Sequence, residues 1–303
     1  MTSPHFFQSL SKIASGDEGK PNRNFAPDQS VLGKNPDLET FAHTHHKLRG
    51  TFDEHYWASI PYVFEQECRL GNGLLSYAAH FHSKESPLLM WHIGAAEGTL
   101  TRSLTHLGKG GIVSIADTGS EANRTSFLKH GTPRFAHLFV GHHTDITKVT
   151  LAQFDTRFCD GFDVIIEDTC FQMLGNDRAG QIKHVANFLS NDGILILTEK
   201  CNTSDYDHWE YVKDSHFKRR FFDETLIEEK KANIVDEMKQ NQVSISELQD
   251  IAAVQFKEVA IFWNSCNFYS IACSNSREHM EVFLDAVGAS VTPEEFIRQA
   301  ETA

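Results

Sequence analysis

From Leu88 onward, short apolar runs alternate with helical stretches, and no other feature constrains the fold of this chain so strongly. "LLMWHIG" (88–94) precedes the helix-like "TLTRSLTHLG" (99–108), which closes on Gly108; "GIVSIAD" (111–117) precedes "SEANRTSFLKHG". "FAHLFVG" (135–141) and "FDVIIED" (162–168) follow, then the helix-like "AGQIKHVANFLSNDG" and "ILILTEK" (194–200). This order builds a parallel sheet covered by helices. Runs that are continuously apolar, rather than alternating, mark strands buried on both faces. A charged, helix-forming stretch over roughly 205–253 comes next, and then "FKEVAIFW" and "FYSIACS", joined by the short polar link "NSCN". So short a link predicts an antiparallel pair. The expected fold class is α/β: a seven-stranded, mostly parallel, doubly wound sheet ending in an antiparallel hairpin.

Around that core the chain divides unevenly. Residues 1–37, rich in Gly, Pro, Asn, Ser and Lys, show no sustained period and read as a flexible arm. Residues 38–85 have helical periodicity and form an N-terminal helical extension or lid; 86–275 are the α/β domain, with a helical insertion at 201–255 between strands five and six, and 276–303 read as C-terminal helices. With 303 residues, 40% of them apolar, the chain can bury one substantial core. A net charge of −13 disfavours nucleic acid and anionic membranes as partners. Runs such as "GILILT" and "VAIFW" fall far short of the roughly 20 residues that cross a bilayer. No basic region followed by an apolar core opens the chain, and its six cysteines are scattered without framework spacing. A soluble, cytoplasmic protein is expected, and a homo-oligomer is left open.

The turn "HIGAAEGTL" after the first strand is how an α/β protein holds a nucleotide-like ligand. Gly94 and Gly98 let the backbone pass close to a ligand, and the helix N-terminus that follows favours its negative charge. Asp117 ends strand two about twenty residues later, where an acid commonly takes both ribose hydroxyls of an adenosine ligand. Glu167 and Asp168 end strand four at the carboxyl edge, where ligands of open α/β sheets bind. A nicotinamide site fits less well, since the Gly-x-Gly-x-x-Gly spacing is missing; a P-loop is excluded, since no Gly-Lys-Ser/Thr follows the turn.

On these residues, over about 86–275, the chain resembles the class I S-adenosylmethionine-dependent methyltransferases. The resemblance implies S-adenosylmethionine as cofactor. It places His92, Gly94, Ala95, Glu97 and Gly98 at the loop, Asp117 at the ribose, Asp145 and Ile146 of "GHHTDIT" at the adenine, and Glu167 beside them. His92 stands where the family usually carries an acid that helps hold the ligand's amino group. A neutral imidazole accepts a hydrogen bond from an ammonium group, whereas a charged one repels it.

Methyl transfer is an in-line displacement that needs alignment and desolvation, with a base only where the nucleophile must lose a proton. Candidate catalytic residues are Asp168, His142, His143 and Lys200, with the histidines of "HTHHKL" (His43, His45, His46) as further bases. "FDVIIEDTCFQML" with "ILILTEK" is similar to the metal-dependent sugar and macrolide O-methyltransferases. Here Phe171 replaces their histidine and Lys200 their last acid, so no metal is assigned. Asp168 and Lys200 also occupy strand-four and strand-five positions of the RNA 2′-O-methyltransferases, and "KDSHFKRRFF" (213–222) is a basic, aromatic run; its plainer reading is a charged helix face. The extension and the insertion are expected to roof the pocket, with Phe52, Tyr56, Trp57 and Trp209 as aromatic lining. A roofed pocket suits O- or N-methylation of a small or medium organic acceptor. Two alternatives stay open: an enzyme of the RNA 2′-O-methyltransferase type, and a non-catalytic protein that uses the fold for binding or assembly.

Overall fold

The computed structural model describes residue 12 and residues 19–298 apart from 34, 130 and 132. The apolar runs become β1 (Leu88–Ile93), β2 (Ile112–Thr118), β3 (Ala136–Val140), β4 (Phe162–Asp168), β5 (Leu189–Lys200), β6 (Glu258–Ser265) and β7 (Phe268–Ser274). They form one 7-stranded sheet in the order 3-2-1-4-5-7-6. β1 pairs in parallel with β2 and β4, β2 with β3, and β4 with β5; β7 lies antiparallel between β5 and β6. The fold class is the one the pattern of runs predicts. β5 differs in starting at Leu189 rather than Ile194. "SNDG" reads as a turn, but Phe162 pairs with Leu189 and Val164 with Ile194, so the surplus residues bulge within the strand instead of ending it.

Side chains alternate across the sheet, and two cores result. On one face Met90, Val164, Ile166, Ile194 and Ile196 pack with the helices α1 (Pro36–Lys47), α2 (Thr51–Ser59), α3 (Val63–Phe81) and α4 (Thr99–Gly108), and with a helix at Arg277–Val287 near the C-terminus. On the other, Trp91, Ile93, Ile115, Ile165, Leu195 and Leu197 meet a second helical layer, which includes Ile182, Val185, Leu248 and Ala252. Residues 19–33 do not stand off as an arm: Phe25 is buried against Trp57, Phe64 and Phe221 at ring separations of 5.6, 5.6 and 5.4 Å.

The insertion is helical but broken. Between helices at Tyr206–Val212 and Glu224–Lys230 lies a π-helical turn, Lys213–Phe217, and a 3₁₀ turn, Lys218–Arg220; a second π-helical turn follows at Lys231–Val235. Among the described residues no helix is long and apolar enough to cross a membrane.

Candidate active site

The loop from β1 to α4 turns through left-handed backbone at Gly94 (φ +67°), Ala96 (φ +45°) and Gly98 (φ +64°). A Cβ on Gly94 would lie 2.5 Å from Cys170 Cβ, and one on Gly98 2.9 Å from Phe127 Cδ2, so both backbone sign and close packing require glycine. Asp117 braces this loop. Its Oδ1 accepts from the Gly94 N–H (3.0 Å), its Oδ2 from the Trp91 indole (2.7 Å), and its carbonyl from the Ala95 N–H (3.0 Å). Burial pushes the carboxyl up to about 7 against the pull of those two donors.

The loop opens on a cavity of about 580 Å³ that runs along the carboxyl edge of the sheet. One end is lined by Gly94, Ala95, Asp117, Gly119, Gly141 and His143, the other by His55, Ser59, Lys200, Lys213, Lys218 and Lys230. Between them lie His92, Asp168 and Tyr56. α2 and the start of α3 contribute Phe52, Asp53, Tyr56 and Glu67, while the insertion supplies Val235 and Met238.

At the middle, the Tyr56 hydroxyl donates to Asp168 Oδ1 at 2.5 Å, and His92 Nε2 lies 4.0 Å from Asp168 Oδ2. Burial, then the nearby Glu67 carboxylate, raises Asp168 to about 7, and the Tyr56 bond opposes this. Asp168 therefore exchanges a proton near neutrality, the range a general base needs. Burial lowers His92 to about 3, so its ring is neutral, and neither nitrogen has a partner among the described residues. Glu67 is itself pushed to about 8 by burial while it accepts from the Trp57 indole (2.5 Å) and pairs with His45 (2.9 Å).

Several expected site residues sit elsewhere. Glu97 is turned from the cavity. Its carboxylate accepts from the N–H groups of Thr51 (2.9 Å), Phe52 (3.0 Å) and Asp53 (3.4 Å), the unpaired donors at the start of α2. Glu167 points to the opposite sheet face from Asp168, because neighbours along a strand alternate. There it accepts from Cys170 N (2.6 Å) and Phe171 N (2.9 Å), beside the buried Arg178–Glu199 pair (2.9 Å). Asp145 is exposed and accepts from the His142 N–H at 3.3 Å, closing a short turn, while Ile146 is buried in the core beyond the sheet. Trp57 is core, and Trp209 bonds Asp205 outside the cavity (2.8 Å).

His142 and His143 line the β3 end. β3 and β5 are four strand spacings apart, about 19 Å, which separates these histidines from Lys200. His143 is kept neutral, lowered to about 4 by burial and then by His142 and His184. His45 is buried between Ser103 (3.0 Å) and Glu67 and lines no part of the cavity.

The Lys200 end carries a charge network that sequence reasoning missed in part. Lys200 and Lys213 share Glu210 (3.0 and 2.6 Å), and Lys218 pairs with Asp214 at 2.8 Å. Lys230 donates to His55 Nε2 (2.8 Å) and Ser59 Oγ (3.0 Å). Lys213, Lys230, Asp53 and Glu67 did not stand out as site residues, since each sits in a helical stretch where a charge reads as solvated. The one available signal was the clustering of Lys213 and Lys218 in "KDSHFKRRFF".

No protein-family model matches the chain, and no curated protein matches it in sequence. Solved structures do. The plantazolicin methyltransferase BpumL in complex with a monoazolic desmethylPZN analog and SAH matches with a TM-score of 0.50 at 11% identity, covering 89% of this chain and 99% of that one. The same enzyme with a triazolic analog and SAH gives a TM-score of 0.50, 11% identity and coverages of 89% and 98%. The plantazolicin methyltransferase BamL with a triazolic analog and SAH gives 0.50, 10%, 90% and 98%. With the strand order 3-2-1-4-5-7-6 and the glycine loop after β1, these likenesses establish that the chain has the class I S-adenosylmethionine-dependent methyltransferase fold.

Proposed function

We propose that the protein is an S-adenosylmethionine-dependent methyltransferase that acts at oxygen or nitrogen of a small or medium organic acceptor. The observation that carries this reading is the single cavity that runs from the Gly94 loop and Asp117, past Asp168, to Lys200. Its residues fit the cofactor. Asp117 lines the cavity with both carboxylate oxygens held in place and lone pairs to spare for a diol. The unpartnered neutral ring of His92 can accept from an ammonium group through one nitrogen, and Asp168, 4.0 Å from His92 Nε2, brings to this region the acid that β1 lacks. When bound, the cofactor supplies a methyl group on a sulfonium. Asp168, oriented by Tyr56, takes the proton of the acceptor hydroxyl or amine, and α2 with the insertion lines the cavity where the acceptor would be aligned.

The reading of an RNA-modifying enzyme has less support. Lys200 is tied to Glu210 beneath the insertion, and Arg219 and Arg220 bond Glu224 (2.5 Å) and the His216 carbonyl (2.8 Å). Calorimetric titration with S-adenosylmethionine and S-adenosylhomocysteine tests the proposal and its non-catalytic rival together. Binding that is lost in Asp117→Ala supports an enzyme; no binding of either compound by the folded protein removes it.

A further inference from the structure

We infer that the cavity end beneath the insertion is an anion subsite, which holds a carboxylate or phosphate group of the methyl acceptor between Lys200, Lys213, Lys218 and Lys230. This rests on the methyltransferase reading of the opposite end. In a chain of net charge −13, four lysines converge on one buried wall. Buried ammonium groups are costly unless paired, and the two carboxylates that face them, Glu210 and Asp214, serve only three of the four.

Lys230 has no carboxylate partner among the described residues, and its hydrogen bonds say how it is aimed. His55 Nδ1 bonds the Gly19 carbonyl, which can only accept, so the ring proton sits on Nδ1 and Nε2 must accept from Lys230. Ser59 takes a second donor. Held charged by a bound anion, the ammonium group has three, so Lys230, which lines the cavity, then has one to give.

The lysines also depress one another: Lys200 to about 7 and Lys218 to about 8, in both cases through burial first and Lys213 next, while burial and then Lys218 hold Lys230 well below its usual value. Such a pocket lacks negative charge, which an anionic ligand supplies. The carboxyl groups in the middle of the cavity do not supply it. Asp168 is bonded by Tyr56, and Glu67 by Trp57 and His45, while the lysines bond Glu210, Asp214, His55 and Ser59. The cavity thus has acids at Asp117 and, in its middle, at Asp168, suited to a sulfonium, and a basic end suited to an anionic acceptor.

The test is calorimetry on the full chain with citrate and with pyrophosphate at fixed ionic strength, alongside S-adenosylhomocysteine. One anion is expected to bind, roughly tenfold or more weakly to Lys230→Gln and nearly normally to Lys230→Arg, as loss of a charged hydrogen bond implies. Arg219→Ala, outside the cavity, should leave anion binding unchanged, and all three variants should keep S-adenosylhomocysteine affinity within about twofold, since the lysines lie at the other end. The stronger of the two anions names the group, carboxylate or phosphate. If Lys230→Gln does not fold by circular dichroism, Lys218→Gln is read in its place. Failure of both anions to bind a protein that binds S-adenosylhomocysteine, or equal binding by wild type and the Gln variant, overturns the inference. Lysine-dependent anion binding without S-adenosylhomocysteine binding leaves the anion site standing and removes the methyltransferase reading instead.

Discussion

The Tyr56 hydroxyl donates to Asp168 Oδ1 at 2.5 Å, across 112 positions of sequence, and so ties the helical extension to the end of β4. Burial makes the phenol a poor acid, raising it well above its usual value, so Tyr56 serves as a donor and Asp168 as the group that exchanges the proton.

Asp168→Asn should reduce the rate of methyl transfer by about 10²–10⁴-fold while leaving S-adenosylhomocysteine binding near normal, the loss expected for a positioned general base. Activity should fall as pH drops through about 7, where Asp168 takes up its proton. Because the Tyr56 bond lowers the Asp168 pKa, Tyr56→Phe should move that acidic limb to higher pH. A rate–pH profile unchanged in both variants would exclude Asp168 as the base.

Asp117→Asn should weaken S-adenosylhomocysteine binding by roughly 10–100-fold, the worth of a hydrogen bond to a charged group. It should also lower the melting temperature, because an amide presents one accepting oxygen to two buried donors, Trp91 and Gly94. Trp91→Phe separates the two effects. It removes a donor and leaves the carboxylate, so stability should fall with little change in calorimetric affinity. Equal loss of affinity in both variants would mean that Asp117 only braces the loop.

How much of this was legible from sequence depends on what each residue needed. The strands were, since continuous β-branched runs bounded by glycine follow from burial on both faces, and Asp117 and Asp168 followed from their strand ends. Which neighbour faces the cavity was not. Glu167 and Asp168 differ only by the alternation of the strand, and the sheet's curvature and roof decide which face is open. Glu97 looked like a loop acid because its partners, Thr51 to Asp53, lie more than forty residues earlier. Lys213 and Lys218 show only as part of the basic run 213–222, which reads as a charged helix face, because helical periodicity of 3.6 separates positions five apart, whereas the π-helical turn at Lys213–Phe217 advances five residues per hydrogen bond and brings both into the cavity.

Glu97 gives a test of that correction. Glu97→Ala leaves buried N–H groups at the start of α2 unpaired and should destabilise the fold by about 1–3 kcal/mol in chemical denaturation. Glu97→Gln keeps an accepting oxygen and should recover most of the loss. If Glu97 instead met the cofactor with its charge, the Gln and Ala variants would lose S-adenosylhomocysteine affinity equally, which calorimetry would show.

The lysine wall should leave a mark on stability itself. Lys200, Lys218 and Lys230 have folded pKa values below their usual 10.5, so between the folded and unfolded values the unfolded chain binds more protons and stability rises with pH. Burial pushes Glu67 to about 8, which opposes the trend below that pH; Glu167, held well above the usual carboxylate range by burial, offsets at most one of the three lysines; and the thiols Cys68, Cys170, Cys201, Cys266 and Cys273, all raised, oppose the trend once unfolded thiols ionise near 9. Lys213, raised by Glu210 against its own burial, and Glu210, lowered by Lys213 and Lys200 against the same, titrate outside this range. The clear window is therefore about pH 8–9. Urea denaturation should show a protein more stable at the upper end of that window, with the slope reduced in the double variant Lys218→Met, Lys230→Met. Saturating citrate or pyrophosphate, by holding the ammonium groups charged, should flatten the wild-type slope as well. A wild-type stability that falls across the window, or a slope that the double variant keeps, would show that these lysines stay fully charged in the free protein and that the wall carries no deficit of negative charge.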